Sequence, residues 1–262
     1  LMATFRPLPA ARMVDGLSLI IPKPATRQEP AAAGNGFVPL LTTTQCPPVA
    51  RRRIRRQRLL LRLQGAAEAR LILITAPGGY GKTTLAVDWS AELDAVGQRV
   101  AWVRAERENS EPGVFLQYVA SALEQAFSGA GRPALDIFEA NSIPPSHAVL
   151  AALVNALAET GEEICLFVDD YHLVDTPEIR EAIAFLLQHA PRHFRIVLTT
   201  REMPALPLGT LRARGELFEV DAGELRFSLE ETGRLLQSEC STAPDETTVN
   251  ALQRETGGWA AA

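Results

Sequence analysis

Residues 76 to 83 read Ala76-Pro77-Gly78-Gly79-Tyr80-Gly81-Lys82-Thr83, followed by Thr84. The apolar run Leu71–Thr75 precedes them, and Thr83–Val96 follows with Leu85, Trp89 and Leu93 spaced four apart, one face of a helix. A glycine-rich turn between strand and helix that closes on Lys-Thr is the pattern of a phosphate-binding loop, here with alanine in the first glycine position. Glycines let the backbone curl until its N–H groups face phosphate, and the new helix adds positive potential from its N-terminus. In such a loop the residues Ala76 to Thr84 cradle the nucleotide, Lys82 reaches the β- and γ-phosphates, and the Thr83 hydroxyl ligates Mg²⁺. A glycine turn that binds nothing is the competing reading, and the strand–turn–helix setting argues against it.

A second constellation ends another apolar run, Ile164-Cys165-Leu166-Phe167-Val168-Asp169-Asp170. Two carboxylates at the carboxyl end of a central strand stand where ligands of open α/β sheets bind. Asp169 would hold Mg²⁺ directly or through water, and Asp170 would orient an attacking water. A turn that happens to favour aspartate is the alternative. Arg201 follows the run IVLTT and should project from the same edge toward the γ-phosphate, where a cation stabilises phosphate charge; a solvated surface arginine competes with that reading.

The elements that must position these groups are legible from periodicity. Strands are expected at Leu71–Thr75, Arg99–Arg104, Ile164–Val168, Arg195–Thr200 and Leu217–Asp221. Helices are expected over residues 51–64, 83–96, 112–127, 148–160, 178–189, 229–239 and 247–256. Strands alternating with helices imply an α/β fold, a mainly parallel sheet sandwiched by helices, with the last two helices beginning a helical lid. Residues 1–36, rich in Pro, Ala, Gly and Arg, read as a flexible arm, residues 37–224 as the nucleotide-binding domain and residues 225–262 as the start of the lid.

Composition narrows the function classes. The 262 residues are 47% hydrophobic and 22% charged, a globular balance, with a net charge of −5 that gives the chain no general attraction to nucleic acid or anionic lipid. Six arginines fall within Arg51–Arg58, and a solvated helix face flanking the nucleotide site is preferred over a nucleic-acid groove. Cys46, Cys165 and Cys240 lack CxxC spacing, so reduced thiols are expected. The four histidines lack metal-ligand spacing and read as structural or surface groups. No apolar run approaches the roughly 18–20 residues of a membrane span, and residues 1–34 lack a signal peptide's apolar region; a cytoplasmic location is the expectation.

Beyond the two motifs, the stretches IRRQRLLLRL, LITAPGGYGKTTLAVDW, LFVDDYHLV, IVLTTREMPALPLGTLRARGELFEV, LRFSLEET and TGGWAA resemble the large ATP-binding regulators of the LuxR family typified by MalT, within the STAND P-loop ATPases. The resemblance covers residues 36–262. It implies a P-loop NTPase fold, ATP or ADP with Mg²⁺ as ligands, Asp169 as the magnesium carboxylate, Asp170 as the second acid and Arg201 as a sensor. It also implies that Ile54 and Arg56 flank the adenine, although the family's VPRPRL is IRRQRL here. Function is then a regulatory ATP switch with slow hydrolysis that controls self-association, while DNA is reached only through a carboxyl-terminal helix-turn-helix that these 262 residues do not contain. A STAND scaffold with a non-DNA output, a AAA-type ATPase that performs work, and a P-loop kinase for a small molecule are the alternatives.

Overall fold

A computed structural model describes residues 39–48, 53–66, 68–141, 143–239 and 245–260. The arm expected at residues 1–36 lies outside the described residues. Five strands, β1 (Leu71–Thr75), β2 (Arg99–Arg104), β3 (Ile164–Asp169), β4 (Phe194–Thr200) and β5 (Leu217–Val220), form one sheet in the order β2-β3-β4-β1-β5. Every pairing is parallel. The helices are α1 (Leu41–Thr44), α2 (Gln57–Gln64), α3 (Lys82–Ala95), α4 (Pro112–Ala126), α5 (Arg132–Ala140), α6 (Ser146–Thr160), α7 (Pro177–His189), α8 (Leu208–Ala213), α9 (Leu229–Glu239) and α10 (Glu246–Thr256).

The period of two along each strand explains why both sheet faces are covered. Leu71, Leu73, Leu166, Val168, Ile196 and Leu198 point into a core shared with helices α4 to α8. Their neighbours Ile72, Ile74, Phe167 and Val197 enter a second core with Leu59, Leu60 and Leu63 of α2 and Leu85, Trp89 and Leu93 of α3. This is the α/β class expected, a parallel sheet between helical layers with the glycine loop joining a central strand to a helix. On the second face Trp102 stacks on Phe167 at 5.2 Å and Trp89 meets the same ring edge-on at 5.7 Å. That aromatic stack fixes α3 against β3, and hence the start of α3 against the end of β3.

Two departures from the expected elements have local causes. The helix expected over residues 51–64 begins only at Gln57; residues 51 and 52 lie outside the described residues, and residues 53–56 form an open strap. In the strap Arg53 and Arg55 reach Asp88 and Glu92 on α3, while Arg56 turns to Glu231 on α9. An unwound backbone sends neighbouring side chains in opposite directions, which helical spacing would not. The arginine run is therefore an ion-paired seam across its described part, not a solvated helix face. Second, residues 128–141 contain the amphipathic helix α5, packed on α4.

The α4–α5 turn depends on Gly131. A Cβ there would sit 1.9 Å from the Ala120 carbonyl oxygen and 2.9 Å from the Glu124 nitrogen. Both are backbone atoms of a packed helix and cannot step aside cheaply. Gly131→Ala is expected to lower stability by about 1–3 kcal/mol, the range of overpacked interiors. Urea denaturation reads this as a lower midpoint at unchanged slope; an unchanged midpoint would show that the turn can open.

Of the cysteines, Cys165 is buried on β3 with its thiol pushed up to about 12 by burial. Cys46 is exposed, and Cys240 lies outside the described residues.

Candidate functional site

The carboxyl ends of β1, β3 and β4 meet at one edge of the sheet, and the sequence-predicted groups meet there with them. Gly79 and Gly81 adopt φ of 80° and 76°, left-handed values that let the loop double back before α3 begins at Lys82. No side chain caps α3 and no acidic residue stands in its first turn. Its leading N–H groups are thus left for an external anion. Lys82 is buried and curls back along the loop, its Nζ donating to the Ala76 carbonyl at 2.8 Å and the Pro77 carbonyl at 3.0 Å. Burial draws its pKa down, with Asp170 opposing that shift and Arg201 reinforcing it.

Strand β4 lies between β1 and β3 and bridges them. The Thr200 carbonyl accepts from Ala76 N at the loop's base, at 3.2 Å. The Thr199 hydroxyl donates to Asp169 Oδ1 at 2.5 Å and accepts from Asp170 N at 2.9 Å. The Thr83 hydroxyl donates to the same Asp169 oxygen at 2.9 Å. Asp169, 2% exposed, has its pKa raised by burial, while the Thr199 and Thr83 hydroxyls pull it back down. A hydroxyl and a carboxylate held this close are oxygen donors of the kind that bind a hard divalent cation with phosphate and water completing the shell.

Asp170 has φ 55°, the single left-handed non-glycine among the described residues. A carboxylate residue tolerates that region better than most, and such a backbone is found where a site dictates the conformation. His172 lies beside it, with Nδ1 3.9 Å from Asp170 Oδ1, buried and without a hydrogen-bond partner. Burial lowers the His172 pKa, Asp170 opposes that shift, and Arg201 and Lys82 add to it. Arg201 is exposed at the end of β4, and its guanidinium comes to 3.9 Å of where a Cβ on Gly78 would be. Lys82, Thr83, Asp169, Asp170 and Arg201 are thus brought together. His172 and Thr199 join them, two residues the sequence reading did not select; the DDYH spacing was the available signal for the histidine.

Beyond the loop a cavity of about 320 Å³ opens, lined by Gly79, Gly81 and Thr84 together with Ile54, Arg56, Phe227 and Leu235. Ile54 and Arg56 therefore stand on its wall. The Arg56 guanidinium is also committed elsewhere: Nε lies 3.1 Å from Glu231 Oε1, and one terminal nitrogen donates to the Leu225 and Arg226 carbonyls at 2.9 Å each. At the far end of the chain the Trp259 indole donates to the Gly78 carbonyl at 3.2 Å, so residues after α10 touch the glycine loop.

No family model matches the chain. Among curated proteins, the HTH-type transcriptional regulator MalT of Cronobacter sakazakii is 33% identical over 207 residues, which are 79% of this chain and 22% of that protein. The chain spans about a fifth of the length of that relative. Solved structures with some likeness include Drosophila ORC bound to AT-rich DNA and Cdc6, with TM-score 0.44 and 14% identity over 63% of this chain and 53% of the other. The Aeropyrum pernix ORC1 protein in complex with DNA gives 0.43 and 17% over 70% and 47%. Scores of that size carry no functional inference. Among the described residues no helix is long and apolar enough to cross a membrane. Over the matched 207 residues, this chain is similar to that MalT transcriptional regulator.

Proposed function

We propose that the chain is the ATP-binding regulatory module of a LuxR-type, MalT-like transcriptional activator. The observation that carries this is the convergence of Lys82, Thr83, Asp169, Asp170 and Arg201, from three separate strand ends, around a glycine loop whose helix lacks any cap of its own. An anion at the loop would meet uncapped N–H groups, the Lys82 ammonium and the Arg201 guanidinium. Mg²⁺ would be held by Thr83 and Asp169, and when bound it would neutralise charge on the bridging phosphate oxygens. The cavity beside Thr84 would take the base, with Ile54 and Arg56 on its wall. Residues 37–224 would form the nucleotide domain and residues 225–262 the first part of a lid.

In this reading hydrolysis is slow and serves as a timer. Asp170 orients a water. ATP and ADP differ in their contacts with Lys82, Arg201 and the lid, and that difference biases self-association of the longer protein. DNA would be reached by other parts of that protein.

Two substitutions separate the roles. Asp169→Ala should bind nucleotide with little change when EDTA is added, because its magnesium-dependent increment is gone. Asp170→Asn should keep the affinity and lose about 100-fold in single-turnover hydrolysis, the scale of one general base. Titration calorimetry with and without Mg²⁺, and phosphate release over hours, test these. Wild type that binds neither ATP nor ADP would end the proposal, and an unchanged rate in Asp170→Asn would remove that residue from the chemistry.

A further inference from the structure

The cavity beside the glycine loop contains Phe227, the aromatic residue of the LRFSLEET stretch, to which the sequence reading assigned no role. Phe227, half-buried, lines it together with the loop glycines Gly79 and Gly81, Leu235 and Ile54. The Arg56 guanidinium covers its ring at 4.5 Å from the centroid, and that guanidinium is locked by Glu231 and by the two carbonyls that precede Phe227. The backbone of Phe227 is pinned as well. Its N–H donates to the Gly258 carbonyl at 2.7 Å, and its carbonyl accepts from Gln253 Nε2 at 2.7 Å. The ring is therefore fixed before any ligand arrives, which is what a stacking platform requires.

The same contacts make Phe227 the point where the carboxyl-terminal helices are tied to the cavity. Glu231 and Leu235 belong to α9, Gln253 to α10, and Gly258 to the turn after it. Glu231 also accepts from Ser228 N at 2.9 Å, and Thr232 donates to Gln253, so the two helices hold each other. Toward the phosphate end the Trp259 indole, just past α10 and 41% exposed, donates to the Gly78 carbonyl. A ligand that fills only the glycine loop meets that exposed indole, whereas one that also carries a ring reaches Phe227 and the buried groups tied to it.

We propose that Phe227 is the base-stacking residue of this site, and that the nucleobase, rather than the phosphates, holds α9 and α10 in place. This rests on the nucleotide reading above. Phosphates supply affinity through Lys82 and the loop, and the base supplies the signal to the lid through Phe227, Arg56 and Glu231. A base in the cavity adds a second surface to a ring already backed by a cation, so its binding and the ordering of α9 and α10 reinforce one another.

The test compares ATP, ADP and inorganic tripolyphosphate on the whole chain as wild type, Phe227→Ala, Phe227→Leu and Phe227→Tyr. Phe227→Ala should lose about 10- to 100-fold in affinity for ATP and ADP alike, the range of one base–aromatic stack. Its tripolyphosphate affinity should stay at the wild-type value, which also reports that the loop is folded. Phe227→Tyr should recover most of the loss, and Phe227→Leu should not. In wild type, hydrogen exchange within residues 229–239 and 246–256 should slow with ATP or ADP and stay unchanged with saturating tripolyphosphate. Equal ATP affinity in wild type and Phe227→Ala overturns the stacking role, and equal protection by tripolyphosphate overturns the base-to-lid coupling. Wild type that binds neither ATP nor tripolyphosphate sinks the nucleotide reading itself, and this inference with it. If Phe227→Ala melts early, Phe227→Leu is judged by the same affinities.

Discussion

Lys82→Ala should bind ATP about 100-fold more weakly than wild type, with ADP reduced to a similar degree. Lys82 is 6% exposed, and its ammonium donates two hydrogen bonds within the loop, to the Ala76 and Pro77 carbonyls. A phosphate oxygen that displaces these carbonyls gains a charge-assisted bond without the full cost of desolvating a surface lysine. Hydrogen bonds to charged groups are worth about 1.5–3 kcal/mol, so the loss of one or two reaches roughly two decades in affinity. Alanine also deletes the two bonds that brace the loop. Lys82→Arg should not rescue, because a planar guanidinium cannot enter the space that a point charge fills. Calorimetry that finds the same affinity in Lys82→Ala and wild type would remove the lysine from phosphate binding.

The largest stability effect is expected at Glu231→Ala, which should cost about 3–5 kcal/mol, the range for removing one partner of a buried ion pair. The side chains of Arg56 and Glu231 are 4% and 6% exposed, and burial lowers the Arg56 pKa while Glu231 opposes that shift. Without Glu231 the guanidinium keeps two carbonyl acceptors but loses its counter-charge in a dry setting. The melting temperature should fall by about 10 °C. The double variant Arg56→Met with Glu231→Ala should regain part of the loss, since the orphaned charge is gone. A single variant within about 1 kcal/mol of wild type would mean that water reaches the pair.

The contrast between what the residues announced and what they concealed is physical. Strands β1 to β4 and helix α3 were legible because each is an unbroken apolar run or a four-residue spacing bounded by Gly, Pro or Asp. The candidate groups on them followed, since a strand's end fixes where the next side chain emerges; Asp169, Asp170 and Arg201 needed only parallel pairing to come together. Helices α5 and α8 escaped because they are short and their apolar faces are completed by α4, α7 and β5. The strap at residues 53–56 escaped for another reason: a run of arginines favours a helix locally, and its unwinding is dictated by acids 35 to 175 residues away. Phe227, Trp259 and His172 lie in the stretches LRFSLEET, TGGWAA and LFVDDYHLV that carried the resemblance, but their contacts are with residues distant in sequence, which no local spacing encodes.

The strand order has a consequence for how the chain is made. Leu71 pairs with Ile196 on one side and with Leu217 on the other, so β1 has no sheet neighbour until about 125 more residues have been synthesised. At ribosomal rates of about 5–20 residues per second, the LILIT segment waits roughly 6–25 s as an unpaired apolar strand. A nascent chain in that interval has the glycine loop in its sequence but no braced loop in space, because the Thr200 carbonyl that anchors Ala76 has yet to emerge. In the proposed function, nucleotide capture would thus wait for chains translated past β4. Until then β1 is the segment most exposed to aggregation and the natural client of a chaperone.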